Sequence, residues 1–393
     1  MSVLRLRRRE ERRVLAGHDW VFSNEIDTAA TPLKGLEPGA DVVLESSEGR
    51  FLAHGFANPA SLIAVRLTGR RRNHPFDDGA LMARLRSAQT LREQRYGAPF
   101  YRWVYGESDG LPGLVVDRYE DVAVVQVSSA GMERRLDTIV DALVSLGELS
   151  AVLLRNDAGP RELEGLPLYR RWAHGEERQT LHVLENGLAF QVPTETSQKT
   201  GWFYDHRDSR QALRSWCDGA RVLDLYSYAG AFALNAIEGG AREVVAIDSS
   251  APAIASLQAN AERQGVAERI DARTDDVVEA MRGLGEADER FEVIVLDPPA
   301  FVKRKKDREA GLRHYALNHK LALRLLVPGG ILLSASCSQP IDQATLLGTS
   351  RKSLPRERER LQVLSPIAQA ADHPVHAAMP ETAYLTGAIT RVV

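Results

Sequence analysis

Apolar positions along this 393-residue chain change their spacing twice before settling into a regular pattern. Over residues 1–73, short runs rich in β-branched residues (ADVVLES, GRFLAHGFA, SLIAVRLTG) are separated by the turn signals EG, NPAS and PG. That pattern predicts a small β-rich unit. From Pro75 to Gly97 the spacing becomes helical, with Leu81, Leu85 and Leu91 set among charges, so a boundary is expected near Arg70–Pro75. Between Arg102 and Thr180 the strand-like runs GLVVDRYEDVAVVQVS and AVLLRND flank a helical MERRLDTIVDALVSL. Residues 74–180 therefore read as a second, mixed α+β unit.

From residue 181 to 393 the pattern is regular. RVLDLYS, EVVAIDSS, RIDARTDD, FEVIVLDPP and GGILLSASCS are apolar runs that each end in polar or small residues. Helix-like segments such as APAIASLQANAERQG and GLRHYALNHKLALRLL join most of them. Near-continuous apolar strands alternating with helices predict a parallel sheet covered on both faces. Ligands of such sheets bind at the carboxyl ends of the strands, so the polar tails should share one crevice. The expected fold class is α/β, with a Rossmann-like domain over 181–393 preceded by two smaller domains.

Composition narrows the function classes. With 44% hydrophobic and 26% charged residues the chain is ordinary for a globular protein, and its net charge of −3 excludes nucleic-acid binding through overall charge. The cations are clustered, however, in RLRRREERR (5–13), GRRRN (69–73), KRKK (303–306) and RKSLPRERER (351–360), and such clusters can neutralise phosphates. Interleaved Glu makes RERER read as a solvated face, whereas KRKK directly follows a candidate active-site loop. No apolar run approaches the roughly 20 residues of a membrane span, and the N-terminus lacks the apolar core of a secretory signal. Two cysteines without a CxxC argue against a disulfide framework and a structural zinc site. The expectation is a cytoplasmic protein with no membrane partner and no metal.

The stretch 222–248, VLDLYSYAGAFALNAIEGGAREVVAID, reads as a strand, a turn at Gly230, a helix and a second strand ending in Asp248. Asp248 lies about two dozen residues after Asp224, the separation expected of an acid that binds ribose hydroxyls. A nicotinamide enzyme is compatible with that alone, and Asp248-Ser249-Ser250 also reads as a helix cap. Later elements decide. Asp275 and Asp276 end the third strand, LDPPAF follows the fourth, and Cys337 in SASCSQ follows the fifth. This order resembles the class I S-adenosylmethionine-dependent methyltransferases. The resemblance implies S-adenosylmethionine as cofactor, with Asp224, Tyr228 and Gly230 at the first cofactor motif. It also implies Asp248 on the ribose, Asp276 at the adenine, and Asp297-Pro298-Pro299 on the substrate side.

Two prolines stiffen the loop that presents Asp297. Enzymes that methylate an exocyclic amine carry an aromatic residue directly after the second Pro; here Ala300 stands there and Phe301 follows. Carbon methylation uses a thiol instead. C5 of a pyrimidine is a poor nucleophile until a thiolate adds to C6, and cysteine both attacks and leaves readily. A carboxylate near N3 and N4, here Asp297, would stabilise the charge that develops in the ring. Asp297 and Cys337, following neighbouring strands, should face one base.

End to end, the chain resembles the bacterial 23S rRNA cytosine-5 methyltransferases of the RlmI-like family. GHDWVFSNEI and GRFLAHGFANPASLIAVRL resemble their RNA-binding PUA domain, and VYGESDGLPGLVVDRYEDVAVVQ their middle domain. SQKTGWFYDHRDSR (197–210) resembles the signature QKTG-F-DQR, which implies that Lys199, Thr200 and Arg207 contribute to the cofactor pocket. His206 replaces the usual Gln. LDPPAFV and SASCS match the motifs of the substrate acid and the nucleophile, and ADHPVHAAMPETAYLTGAITRVV resembles the closing hairpin. The implied partner is large-subunit rRNA, free or in an assembling particle, and a homodimer is compatible with the resemblance. An enzyme acting on a base amine through DPPAF and a non-catalytic RNA-binding or assembly factor are the alternatives. Other RNA cytosine-5 methyltransferases often carry a second cysteine where this chain has Pro299, so Cys337 should act alone. Cys217 reads as structural, and His314 and His319 as surface positions of the helix between the two motifs.

Overall fold

The computed structural model describes residues 1–302 and 304–393, so Lys303 of the KRKK run lies outside the described residues, as does the side chain of Lys305. The chain forms two compact units. One comprises Met1–Leu181, Gln198–Trp202 and Ala371–Thr382; the other comprises His182–Ser197, Phe203–Ala370 and Ala383–Val393.

The first unit holds two five-stranded sheets. Strands β1 (Ser2–Arg5), β2 (Trp20–Phe22), β3 (Ala40–Glu45), β4 (Phe51–Ala57) and β5 (Ile63–Gly69) lie in the order β1-β3-β4-β5-β2. Alternate residues such as Val42 and Leu44, or Val65 and Leu67, fill its core. Helix α1 (Asp78–Tyr96) begins at Asp77, whose carboxylate accepts the Ala80 N–H, and stops at Gly97 in the left-handed conformation. Leu81 and Leu85 are buried as expected, but Leu91 is 48% exposed and Arg92 faces inward instead. Positions 81, 85, 88 and 92 form one stripe at helical period, and residue 91 lies about 100° off it. The buried Arg92 guanidinium is neutralised by two hydrogen bonds to Asp109, at 2.7 and 2.8 Å.

The second sheet contains β6 (Phe100–Tyr105), β7 (Leu114–Tyr119), β8 (Val122–Val127), β9 (Ala151–Asn156) and β10 (Tyr169–His174), in the order β10-β9-β8-β7-β6. The predicted MERRLDTIVDALVSL helix forms only as α2 (Leu136–Gly147), after a separate short turn over Ala130–Glu133. The stretches 1–73 and 74–180, distinct by composition, thus carry separate sheets inside one compact unit. Arg66 of β5 ties them together through Glu107 at 2.7 Å and Glu164 at 3.3 Å.

The second unit begins at His182, within the first strand of a hairpin made of β11 (Thr180–Glu185) and β12 (Leu188–Pro193). Its seven-stranded sheet has the order β15-β14-β13-β16-β17-β19-β18. The strands are β13 (Arg221–Leu225), β14 (Glu243–Asp248), β15 (Ile270–Thr274), β16 (Phe291–Leu296), β17 (Leu326–Ser336), β18 (Leu361–Ala368) and β19 (Thr386–Val392). The first five are parallel, and β19 and β18 close the edge antiparallel. Val222, Val244 and Val293 pack on one face while Leu223, Val245 and Ile294 pack on the other. Burial on both faces is the reason these strands read as unbroken apolar runs. Helices α3 (Arg207–Arg214), α4 (Ala231–Glu238), α5 (Ala251–Arg263), α6 (Val277–Glu286), α7 (Arg308–Leu325) and α8 (Gln343–Lys352) accompany the sheet. The order reverses between β13 and β16, which opens a crevice where their carboxyl ends diverge. Among the described residues no helix is long and apolar enough to cross a membrane.

Candidate active site

The turn from β13 into α4 is strained. Tyr226, Tyr228 and Gly230 have φ of 64°, 48° and 83°, and the two tyrosines each cost about 1–3 kcal/mol unless their surroundings over-determine them. Only glycine fits the third position, because a Cβ there would lie 2.5 Å from Leu257 Cγ. Asp248, at the end of β14, holds this turn: its Oδ2 accepts the Tyr228 N–H at 3.0 Å and its Oδ1 the Ser250 N–H at 2.9 Å. Ser250 in turn caps α5 by accepting the Ala253 N–H. Capping and acid placement therefore coexist. Asp276 caps α6 through Oδ1, which accepts the N–H groups of Val278 and Glu279 at 2.9 and 3.0 Å, and its side chain is exposed beyond β15.

Asp224 lies one residue before the end of β13 and is buried, with no hydrogen-bond partner for either carboxylate oxygen among the described residues. Burial first, and then the charges of Asp297 and Asp248, push its acid up to about 8, with the Ala233 N–H and Arg210 opposing. The Ser227 hydroxyl and His206 Nδ1 are likewise buried without partners among the described residues. Leaving such groups unsatisfied costs about 1–3 kcal/mol each, so their concentration here marks a place built for a polar ligand. S-adenosylmethionine fits that requirement: its ammonium and sulfonium suit Asp224, and its ribose hydroxyls suit Asp248.

Asp297 follows β16 and Cys337 follows β17, and these strands pair with Leu296 opposite Ser334. Cys337 is half-buried, with Sγ 3.9 Å from the carbonyl oxygen of Pro298. The two loops therefore meet as the sequence predicts. Asp297 Oδ1 lies 3.2 Å from Nε2 of His206, which is almost fully buried with its ring edge-on to Phe232 at 5.4 Å. Burial alone lowers the His206 pKa. The charge and hydrogen bond of Asp297, helped by Asp205, outweigh it, and the net shift is upward. The result is a close imidazole–carboxylate pair in which the ring is buried and the Asp297 side chain is still 24% exposed.

Lys199 and Thr200 belong to the first unit, where the Thr200 carbonyl accepts the Tyr119 hydroxyl at 3.1 Å. Arg207 is buried, with Nε 3.6 Å from Glu185, which also pairs with Arg210 at 2.6 Å. Phe301 packs against Tyr315 and His314, at 5.0 and 5.3 Å between ring centroids. Cys217 is fully buried and its thiol, pushed up to about 12 by burial, donates to the Leu213 carbonyl. His319 is not a surface residue: it is fully buried, held by Ser334 Oγ and the Tyr315 carbonyl, and lowered to about 4 by burial. It lies one turn beyond Tyr315, on the stripe that α7 turns inward. Sequence reasoning missed the His206–Asp297 pair, for which the only signal was the departure from QKTG-F-DQR. Among the described residues no group of three or more His, Cys, Asp or Glu side chains could hold a metal ion.

Comparison with known proteins identifies the family. Residues 168–372 match the model of an S-adenosylmethionine-dependent methyltransferase family, and residues 4–70 match that of a PUA-like domain. A protein of Yersinia pestis named ribosomal RNA large subunit methyltransferase I is 36% identical, covering 98% of this chain and 97% of its own length. Among solved structures, a methyltransferase crystallised with SAH superposes with a TM-score of 0.85 at 19% identity, covering 100% of both chains. An S-adenosylmethionine-dependent methyltransferase from Streptococcus mutans gives 0.83 at 18% identity, again over 100% of both chains. At that identity the structures speak for the fold; the Yersinia relative and the family models speak for more. The chain belongs to the S-adenosylmethionine-dependent methyltransferases, in the PUA-bearing family of the ribosomal RNA large subunit methyltransferase I proteins, and its cofactor is S-adenosylmethionine.

Proposed function

We propose that the protein methylates C5 of a cytosine in large-subunit rRNA, with Cys337 as nucleophile and Asp297 holding the base. The observation that carries this reading is the meeting of two loops. Asp297 and Cys337 follow adjacent parallel strands, and the thiol reaches the backbone of the DPP loop at 3.9 Å. The name of the Yersinia relative supports large-subunit rRNA as substrate. Phe301, occupied by Tyr315 and His314, is poorly placed to stack on a base, which disfavours the amine reading.

Bound in the crevice, the cofactor supplies an electrophilic sulfonium methyl group. Asp224, Tyr228, Gly230, Asp248 and Asp276 form its side of the site. Cys337 adds as a thiolate to C6, and the C5=C6 electrons move towards C4 and N3, which makes C5 nucleophilic. Asp297, paired with His206, accepts hydrogen bonds from N4 and from N3, which takes a proton from solvent as the thiolate adds and gives it back once C5 has attacked the methyl group. After C5 has been methylated, loss of its proton re-forms C5=C6 and expels the Cys337 thiolate. In the first unit, the exposed Arg8, Arg9, Arg12 and Arg71 are available for phosphate contacts.

The test is incubation of large-subunit rRNA with labelled S-adenosylmethionine, followed by nuclease mapping. Label on C5 of cytosine, abolished in Cys337→Ala, is expected. Label on N4, label retained by Cys337→Ala, or no label in the RNA refutes the reading.

A further inference from the structure

Tyr315 has no part in the chemistry just proposed, yet both reactive loops hang from its hydroxyl. It projects from α7, fully buried, with its oxygen 2.7 Å from Ser336 Oγ and 2.9 Å from Ser338 Oγ. These serines flank Cys337. Ser338 Oγ also accepts the N–H of Val302, at 3.0 Å, and Val302 ends the DPPAFV loop. A fourth bond closes the node, from the Ser338 N–H to Ser336 Oγ at 3.2 Å. β17 ends at Ser336, so Cys337 leaves the strand between two residues that are both tied to one hydroxyl, and those ties fix the backbone that presents the thiol. A tyrosine hydroxyl donates once and accepts twice, which suits it to hold two serines together. Burial raises the Tyr315 acid, so the hydroxyl keeps its proton over the working pH range.

We propose that Tyr315 is a positioning residue for the Cys337 thiol: its hydroxyl fixes the nucleophile loop and, through Ser338 and Val302, its separation from the Asp297-Pro298-Pro299 loop. This rests on the reading of Cys337 as nucleophile. The simpler alternative is that Tyr315 only fills space among Val302, Ile341 and Leu346. On that account phenylalanine would serve as well, because the ring is retained and only the node is lost.

The experiment compares Tyr315→Phe and Ser338→Ala with the native full-length protein by two readouts. One is kcat and KM for methyl transfer to rRNA. The other is the rate at which iodoacetamide alkylates Cys337, followed by mass spectrometry, with buried Cys217 as internal control. A misplacement of the reacting atom by about 1 Å costs about 10²-fold, so kcat should fall by that order in Tyr315→Phe while both KM values change less than about threefold. The alkylation rate should shift severalfold with no RNA present. Native kcat and native alkylation in Tyr315→Phe overturn the proposal. So does a fall in kcat matched by an equal loss of SAH affinity, which would mean general loosening. Should Tyr315→Phe fail to fold, Ser338→Ala, which removes one spoke of the node, decides by the same criteria. If the native protein leaves rRNA unmethylated, the functional reading fails, and alkylation still decides whether the node holds the thiol.

Discussion

Asp224 makes cofactor binding a proton-releasing event. Without ligand its carboxyl sits near 8, raised by burial and by the charges of Asp297 and Asp248. At pH 7 a group with that value is about 0.9 protonated. Among the described residues only the Ala233 N–H, at the start of α4, opposes the shift by hydrogen bonding, with Arg210 adding a weaker charge. A cationic ligand beside it favours the ionised form, and a bound value below about 6 would leave it less than about 0.1 protonated. Binding at pH 7 should therefore expel about 0.8 of a proton. By linkage, the affinity for S-adenosylmethionine should rise by up to about tenfold per pH unit between pH 6 and 7, then level off above 8.

Isothermal titration calorimetry in buffers of different ionisation enthalpy reads the proton directly, as the slope of observed against buffer enthalpy. Asp224→Asn removes the titrating group and should bring that slope down by the same 0.8 or so. Ionisation of the ligand itself is common to both proteins and cancels in the difference. SAH lacks the sulfonium but keeps the ammonium, so comparing the two ligands assigns the charge that faces Asp224. The ligand-free protein carries the converse sign. An acid raised on folding destabilises the fold once pH exceeds its unfolded value near 4, and the loss grows until pH passes about 8. Asp224→Asn should accordingly melt higher than the native protein at pH 8, and the gap should narrow towards pH 5. Equal slopes for native and Asn proteins would refute the reasoning.

Three further outcomes are expected. RNA carrying 5-fluorocytosine at the target should form a covalent complex with the native protein that survives denaturing electrophoresis, because C5 then has no proton to lose; Cys337→Ala should form none, and a complex in that variant would remove Cys337 from the nucleophile role. His206→Gln should keep a donor to Asp297 but cannot titrate. The native pair is charged below the raised His206 pKa and loses its charge as pH rises through it, so the native kcat should fall on the alkaline side, whereas the Gln variant should start about 10–100-fold lower and show no such limb. An alkaline limb unchanged in His206→Gln would assign it to another group. Gly230→Ala combines a φ of 83° with a Cβ 2.5 Å from Leu257 Cγ. It should lower thermal stability by about 1–2 kcal/mol or more and weaken SAH binding, and a native-like melting curve would count against the strained turn.

The four inner parallel strands were legible because burial on both faces leaves little room for polar residues until a strand reaches its end, whereas β15, at the sheet edge, is largely exposed. For the same reason Asp248 and Asp297 stood out as the first polar residues after apolar runs. Leu91 misled because it falls beside the buried stripe of α1, and Arg92 could turn inward only with Asp109 waiting, which a window of local sequence does not contain. The β11–β12 hairpin escaped notice among the α/β repeats. Residues 371–382 lie within the chain of the methyltransferase domain yet pack in the first unit, where the Asp372 carboxylate accepts the Arg102 N–H at 3.0 Å.

The same asymmetry holds inside the site. Residues that would touch the substrate are rare types in restricted places: one of two cysteines, one acid before paired prolines. Those that hold them are serines, a tyrosine and a histidine, common residues whose partners are distant in the chain. Their meaning comes from strand register, since Leu296 opposite Ser334 is what brings the Pro298 carbonyl to Cys337. A reading from motifs alone would score Tyr315→Phe as silent, and one from register as a loss of about two orders of magnitude in kcat. The difference lies in one hydroxyl that bonds to both serines flanking the nucleophile, and no local pattern of the sequence encodes that geometry.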